Sequence, residues 1–284
     1  MSRDLYEHDV PAPDNTRGTE AAVRPLPETE RALAAPDSRA HGRGREPVER
    51  YELSRDAVET LREVGRFRVV NTEDLQRFRY QGDSAATRQD LRSLREQGLL
   101  TRRTFADRGR KFAVVALTKE GQKLLRDDAQ LAPGQATYAG LVKPREVPHD
   151  AAIYRMYQAE AASIRARGGA VRRVVLDYEL KRNVYAPLAK DRPRLTPEEF
   201  AKRQAEVATE NGLEVVNGKI PLPDLRIEYQ TRDGEMAKVD LELATEHYKA
   251  SQLAEKAGAG FVVYGEGGGA KPEDRDFISE ILSL

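Results

Sequence analysis

Residues 53–117 constrain the fold most, because three short segments with apolar residues at helical spacing precede two extended segments joined by a tight turn. Ser54 can cap a first helix that ends near Gly65, and Asn71 or Thr72 can cap a second. Each helix has one apolar face and a polar remainder. The three helices are therefore expected to pack against one another and against the hairpin that follows.

The third helix and the hairpin complete this pattern. Ser84 is predicted to cap the third helix, and Gly98 to end it as a C-terminal cap. The hairpin strands are predicted at Leu100–Phe105 and Phe112–Leu117, on either side of a turn that contains Gly109. A further capped helix follows. Three helices, a two-stranded wing and a closing helix are typical of a winged-helix domain, which we predict over residues 51–130.

Basic residues concentrate on the third helix and the wing, although the whole chain carries 47 basic and 47 acidic residues and no net charge. Residues 82–126 alone contain eleven Lys or Arg and five Asp or Glu. In this fold the third helix enters the major groove of DNA. The side chains expected to contact double-stranded DNA are Thr87, Arg88, Gln89, Arg92, Arg95, Arg102, Arg103, Arg108, Arg110 and Lys111. The alternatives are an ordinary solvated surface or a winged helix that binds protein.

Composition divides the rest of the chain. Residues 1–48 hold six of the fifteen Pro and few apolar residues, which predicts a disordered tail. Residues 131–148 are rich in Pro, Gly and Thr, which predicts a linker and a domain boundary. Residues 149–284 are then expected to form a second domain.

Several classes of protein are excluded by what the sequence lacks. The absence of Cys excludes disulfides and thiolate metal sites, and the four His have no zinc-binding spacing. No apolar stretch approaches the ~20 residues that span a bilayer, and the N-terminus lacks the apolar core of a signal peptide. We therefore expect a cytoplasmic protein with no membrane contact.

The second domain is expected to be α/β, with the order helix, three strands, helix, strand, helix. An insertion at residues 183–212, with a helix capped at Thr196, interrupts the strands. Asp233-Gly234 is a strong hairpin signal between the second and third strands. The remaining elements are predicted as a helix at 149–167, strands at 171–180, 222–230, 236–243 and 261–264, and helices at 245–257 and 274–284.

Carboxylates gather on two neighbouring strands of this domain. Side chains alternate along a strand, so Lys238, Asp240 and Glu242 share one face, and Asp224 can approach them from the adjacent strand. Three converging acids repel one another unless a cation is bound, and Mg²⁺ accepts one or two carboxylates together with phosphate oxygens. The alternative is a solvent-facing surface, or structural ion pairs with Lys238 and Arg226.

Glu160 is a fourth candidate acid. It lies on an apolar stripe of the first helix of this domain, where a free carboxylate is costly. We therefore expect it to have a buried partner.

This arrangement resembles the PD-(D/E)xK nuclease-like superfamily, whose core has the same order of elements. Pro223-Asp224 matches the first half of its motif, and Asp240 or Glu242 matches the acid. The Lys that should follow is missing, and Lys249 or Lys238 would have to replace it. The resemblance implies an α+β chain in which a restriction-endonuclease-like domain follows the winged helix.

More specifically, residues 50–266 resemble the replication-relaxation family of plasmids and mobile elements. The acid-x-acid followed by Thr-Glu of that family is reproduced by Asp240, Glu242, Thr245 and Glu246. The resemblance implies a role on double-stranded DNA in replication, transfer or regulation, with replication or transfer proteins as partners. Because winged helices often dimerise, the sequence leaves open whether the protein forms a homodimer.

Two functions of the second domain remain open. It is either inactive and used for binding, with no cofactor, or a Mg²⁺-dependent endonuclease or nickase. In the second case the metal ligands would be Asp224, Asp240 and Glu242, and the site would also include Lys249 and Glu160.

Overall fold

The computed structural model describes residues 51–107, 109–126, 128–244 and 255–265, all within one compact unit. The helices of these residues are α1 (Arg55–Gly65), α2 (Thr72–Phe78), α3 (Ser84–Glu96), α4 (Lys119–Leu125), α5 (Val147–Ala166), α6 (Asp177–Asp191) and α7 (Pro197–Glu210), with a 3-10 turn at Arg192–Arg194. The strands are β1 (Val70–Asn71), β2 (Leu100–Asp107), β3 (Arg110–Leu117), β4 (Ala170–Leu176), β5 (Leu225–Gln230), β6 (Met236–Ala244) and β7 (Val262–Gly265). This mixed content agrees with the predicted α+β class. The predicted tail, the helix at 274–284, and most of the helix at 245–257 lie outside the described residues.

Short polar residues cap the first helices, as predicted, with one difference. The Ser54 side chain accepts a hydrogen bond from the backbone of Ala57, and that of Asn71 accepts one from Glu73. The third helix is capped by Asp83 and not by Ser84, so this prediction was wrong by one residue. The carboxylate of Asp83 accepts from two backbone N–H groups of the first turn, which adds a negative charge where the helix dipole favours it.

The first sheet has the order β1-β3-β2 and is antiparallel throughout. The long hairpin of β2 and β3 is paired from Leu100 and Leu117 to Asp107 and Arg110, so it extends further than the sequence indicated. Its loop therefore has only two residues, the second of which, Gly109, has a φ of +78° that disfavours other residues.

The second sheet has the order β4-β5-β6-β7. The first three strands are antiparallel neighbours, and β7 runs parallel to β6. The strand predicted at 171–180 ends earlier, because Asp177 begins α6. The predicted insertion consists of the rest of α6 and of α7, which begins with a capping box between Thr196 and Glu199.

One hydrophobic cluster runs through both sheets, with α5 between them. Leu61 of α1, Val115 of β3, Tyr154 of α5 and Leu241 of β6 all belong to it, and each is almost completely buried. The Tyr154 ring meets the Phe67 ring edge to face at 5.1 Å. The two sheets are therefore joined through shared apolar packing.

The segment predicted as a linker is attached to both sheets. The backbone N–H of Gly140 donates to the carbonyl of Leu117 in β3 at 2.8 Å, and that of Tyr138 donates to the carbonyl of Gly65 at the end of α1 at 2.9 Å. The Gln135 amide pairs with both the N–H and the carbonyl of Val174, at 2.9 and 2.8 Å. Among the described residues, no helix is both long and apolar enough to cross a membrane.

A buried ion pair connects the last turn of α1 to Asp128. The Arg62 guanidinium donates to both oxygens of Asp128 at 2.5 and 2.9 Å, and also to Glu59 and Gln130.

Replacing Arg62 by Met would leave the Asp128 carboxylate, whose side chain is 10% exposed, without its cation. We expect Arg62→Met to lower the free energy of unfolding by about 3 kcal/mol in urea denaturation. The matched variant on the exposed side of the same helix, Arg55→Met, should change it by less than about 0.5 kcal/mol, and equal losses in both variants would contradict a structural role for the pair.

Candidate functional site

The outward face of α3 carries a row of three arginines. Arg88, Arg92 and Arg95 are spaced four and three residues apart, so they lie on one side of the helix, and all are exposed, as is Gln89. Arg92 pairs with Glu96 at 2.7 Å, whereas Arg88 and Arg95 make no ion pair with any described residue. Two cations of the row are therefore not neutralised by any described carboxylate.

Thr87 does not belong to this face. Its side chain is only 4% exposed, and its hydroxyl donates to the carbonyl of Asp83 at 2.5 Å. It lies on the same side of α3 as the buried Leu91 and Leu94. The prediction that Thr87 contacts DNA is corrected by this burial, because a hydroxyl turned into the core cannot reach a base edge.

The hairpin presents its cations on both of its faces. Directly paired residues share a face, so Arg102 and Lys111 lie on one side of the ribbon, and Arg103 and Arg110 on the other. All four are exposed. Arg108 lies outside the described residues. Basic groups thus lie on both faces of the hairpin, with Arg110 and Lys111 beside the turn and Arg102 and Arg103 nearer the base, rather than forming one flat patch with α3.

The acids of the second sheet separate into two environments. Asp240 accepts two hydrogen bonds from the Arg226 guanidinium, at 2.6 and 2.9 Å, and both side chains are almost buried. The same guanidinium donates to the carbonyls of Asn211 and Gly212. Asp240 is therefore held in a structural ion pair, the alternative that the sequence left open.

Lys238 binds the same backbone segment as Arg226. Its ammonium donates to the carbonyl of Gly212. Desolvation, followed by the charge of Arg226, lowers the pKa of Lys238 below its ordinary value. Lys238 therefore does not replace the missing lysine of the nuclease motif near Asp224.

Asp224 and Glu242 line one cavity of about 490 Å³ between α6, α7 and the second sheet. Asp224 accepts a hydrogen bond from the backbone N–H of Leu243 at 2.9 Å, which fixes its carboxylate against β6. Glu242 is 1% exposed and pairs with the Lys256 ammonium at 2.8 Å. The cavity thus contains two acids that the sequence predicted, together with a lysine that it did not.

Lys181 and Asp177 form a second ion pair at the wall of this cavity. Burial alone lowers the pKa of Lys181, but the hydrogen bond to Asp177 and its charge, with a contribution from Asp224, outweigh this effect and raise the pKa. The ammonium therefore stays charged at neutral pH.

His149 lies between Asp224 and an ion pair formed by Asp150 and Arg68. Its Nε2 lies 3.5 Å from Asp224 and its Nδ1 lies 3.5 Å from Asp150. Asp150 is in turn 3.2 Å from Arg68, which follows α1. Hydrogen bonds to Asp150 and Asp224 outweigh burial and raise the pKa of His149 to about 10. An imidazolium held between two carboxylates therefore adjoins the cavity.

Glu160 has the buried partner that the sequence predicted, but it does not line the cavity. The Tyr264 hydroxyl donates to its carboxylate at 2.7 Å, and Arg167 donates at 3.2 Å. Burial, together with the neighbouring Glu160, raises the pKa of Tyr264. The pair fixes α5 against β7, which is a structural role.

The predicted metal ligands do not converge as a triad. The described residues contain no group of three or more His, Asp or Glu that could hold a metal ion. Lys249, the predicted replacement for the motif lysine, lies outside them. The sequence could not show Lys256 in its place, because nothing in the local pattern distinguishes this lysine from the other cations of the C-terminal region.

Titration of His149 should affect stability. Its pKa rises from an ordinary 6.5 to about 10 on folding, so the protonated form stabilises the fold fully below pH 6.5, and this contribution is lost as the pH rises to about 10. We expect the difference in unfolding free energy between the wild type and His149→Gln to be largest at pH 6 and to shrink towards pH 10. Asp224→Asn should reduce the same difference, and a difference that stays constant across this range would contradict the bridge.

Comparison with family models matches residues 61–259, more than half of the chain, to the family described as replication-relaxation. No curated protein and no solved structure gives a match. The matched region begins within α1 and includes α3, the hairpin, α5 and the residues that line the cavity. The chain therefore belongs to the replication-relaxation family.

Proposed function

We propose that this protein binds double-stranded DNA through α3 and the β2–β3 hairpin, and that it acts in the replication, transfer or regulation of a plasmid or mobile element. The observation that carries the proposal is the row of exposed arginines on α3, in a chain of zero net charge. Family membership supports the biological setting.

Residues 51–130 are proposed to be a winged helix. The order α1, β1, α2, α3, β2, β3 and α4 has a two-stranded hairpin directly after the third helix. In such domains the N-terminal half of the third helix contacts base edges, and the wing contacts phosphates. Arg88 and Gln89 lie in that half of α3 and are exposed. They are the proposed base-reading side chains, while Arg92, Arg95 and the cations of the hairpin contact the backbone.

For the second sheet we propose a binding role without metal chemistry. Each candidate acid already has a cation nearby: Asp240 has Arg226, Glu242 has Lys256, and Asp224 has His149. Charges satisfied in this way do not require a metal ion. A nuclease-like domain without activity would then serve to position DNA or a partner protein.

A Mg²⁺-dependent endonuclease is the second candidate, because Asp224 and Glu242 line the same cavity as Lys256. Two carboxylates fit the needs of Mg²⁺ when substrate phosphate supplies further oxygens, whereas Asp240 does not fit because Arg226 holds both of its oxygens. Bound Mg²⁺ would polarise the phosphodiester and activate water. Lys256 would neutralise phosphate charge, and His149 would orient the Asp224 carboxylate.

The duplex-binding proposal is tested by salt dependence. We expect the wild type to bind a random duplex at low salt, with affinity falling steeply as salt is added. Arg88→Ala combined with Arg95→Ala should weaken binding by about tenfold or more, and should reduce the slope of log K against log salt by about 1 to 2. Fluorescence anisotropy at several salt concentrations measures both.

The matched control replaces two exposed arginines away from α3, Arg194→Ala with Arg232→Ala, which removes the same charge. It should leave affinity and slope nearly unchanged. Duplex binding that is absent at low salt, or that is lost equally in the control, would overturn the assignment of α3.

The two candidate roles of the second sheet are separated by a plasmid assay. We expect supercoiled plasmid with Mg²⁺ or Mn²⁺ to remain intact, while its mobility shifts on a gel. Nicking that is lost in Asp224→Asn and Glu242→Gln, but kept in the exposed turn variant Asp233→Asn, would instead establish the endonuclease.

A further inference from the structure

Two tyrosines stand exposed on the outer face of α6. Tyr178 is 60% exposed and Tyr185 is 49% exposed, and they are seven residues apart, which places them on one side of the helix. The opposite side of α6 buries Leu180, Val184 and Leu188. The fold therefore does not use either ring for core packing, and large aromatic surface is left in water.

Two cations lie between these rings. Lys181 and Arg182 fall on the same side of α6, three and four residues after Tyr178. The Lys181 side chain is 53% exposed, although it pairs with Asp177, and Arg182 is exposed without an ion pair to any described residue. The row therefore alternates aromatic rings with positive charge.

This combination suits one class of ligand. Every unpaired base offers a π-face to an aromatic ring, and each nucleotide brings a phosphate that a neighbouring cation can neutralise. Base pairing within a duplex hides those π-faces in the stack, so exposed tyrosines gain little from duplex DNA. An apolar protein partner would have to desolvate Lys181 and Arg182, which makes it a poorer fit.

The row continues into the cavity described above. Tyr185 and Lys181 both belong to the wall that also holds Asp224, Glu242 and Lys256. At a rise of 1.5 Å per residue, the two tyrosines are roughly 10 Å apart along the helix, which is the length of about three stacked nucleotides. A strand lying on the row would therefore reach the cavity.

We propose that Tyr178, Lys181, Arg182 and Tyr185 form a binding site for single-stranded nucleic acid, in which bases stack on the tyrosines and the strand continues into the cavity. The site lies on α6 and does not depend on the duplex-binding role of α3. A protein with both sites would hold paired and unpaired DNA at the same time.

The test uses the full chain and a fluorescent twelve-residue oligo-dT, which cannot pair with itself, in the presence of EDTA so that no cleavage occurs. Tyr178→Ala combined with Tyr185→Ala should weaken oligo-dT binding by at least about tenfold. Replacement of both tyrosines by Phe should keep the binding, because the rings remain. Arg182→Ala should weaken it by a few fold and reduce its salt dependence, whereas Arg194→Ala should not.

The α3 variant with Arg88→Ala and Arg95→Ala makes the two sites distinguishable. It should lose duplex binding and keep oligo-dT binding, and the tyrosine-to-alanine pair should do the reverse. Oligo-dT binding that is absent in the wild type, unchanged in the alanine pair, or lost equally in the phenylalanine pair would overturn the proposal. Since both rings are exposed, an unchanged thermal midpoint is expected in every variant and checks that folding is intact.

Discussion

Burial of helix α5 between the two sheets is the constraint on which the other features depend. Most of its residues are buried, and it has no wide polar face, so it cannot be stable without apolar partners on several sides. Its charged side chains pair with groups of other elements at each end of the packing. His149 and Asp150 connect to Asp224 and Arg68, and Glu160 meets Tyr264. The element that joins the sheets therefore also positions one carboxylate of the cavity.

In the second sheet, ion pairs determine which carboxylates line the cavity and which are held in the structure. A guanidinium that donates to both oxygens of Asp240 and to two carbonyls fixes that carboxylate, and breaking such a pair leaves an uncompensated charge. Among the described residues, Glu242 pairs with the Lys256 ammonium, and Asp224 lies 3.5 Å from the His149 imidazole. Both of these carboxylates line the cavity, whereas both oxygens of Asp240 are committed to Arg226.

Local signals predicted the elements well, but they left open which group pairs with each acid. Ser54 and Thr196 could be recognised as helix caps from the sequence, because a capping side chain binds the backbone within three residues of itself. The end of β4 was not predicted, because the β-branched residues before Asp177 are followed by a stretch in which polar and apolar residues also alternate. Only the buried packing of Leu180 and Val184 identifies that stretch as a helix. The Arg226–Asp240 pair depends on strand register and on the loop at Gly212, which is distant in sequence. The position of Lys256 depends equally on how β7 joins β6.

Electrostatic range explains how a neutral chain can have a strongly basic surface. At physiological ionic strength the Debye length is about 8 Å, so a DNA phosphate placed at α3, as we propose, would experience the nearby arginines while most distant carboxylates are screened. The excess of Lys and Arg in residues 82–126 is therefore effective at contact, although it is cancelled over the whole sequence. The acids elsewhere would in turn disfavour binding of duplex to other faces. Under the proposed function, zero net charge would thus restrict where DNA binds without weakening the contact itself.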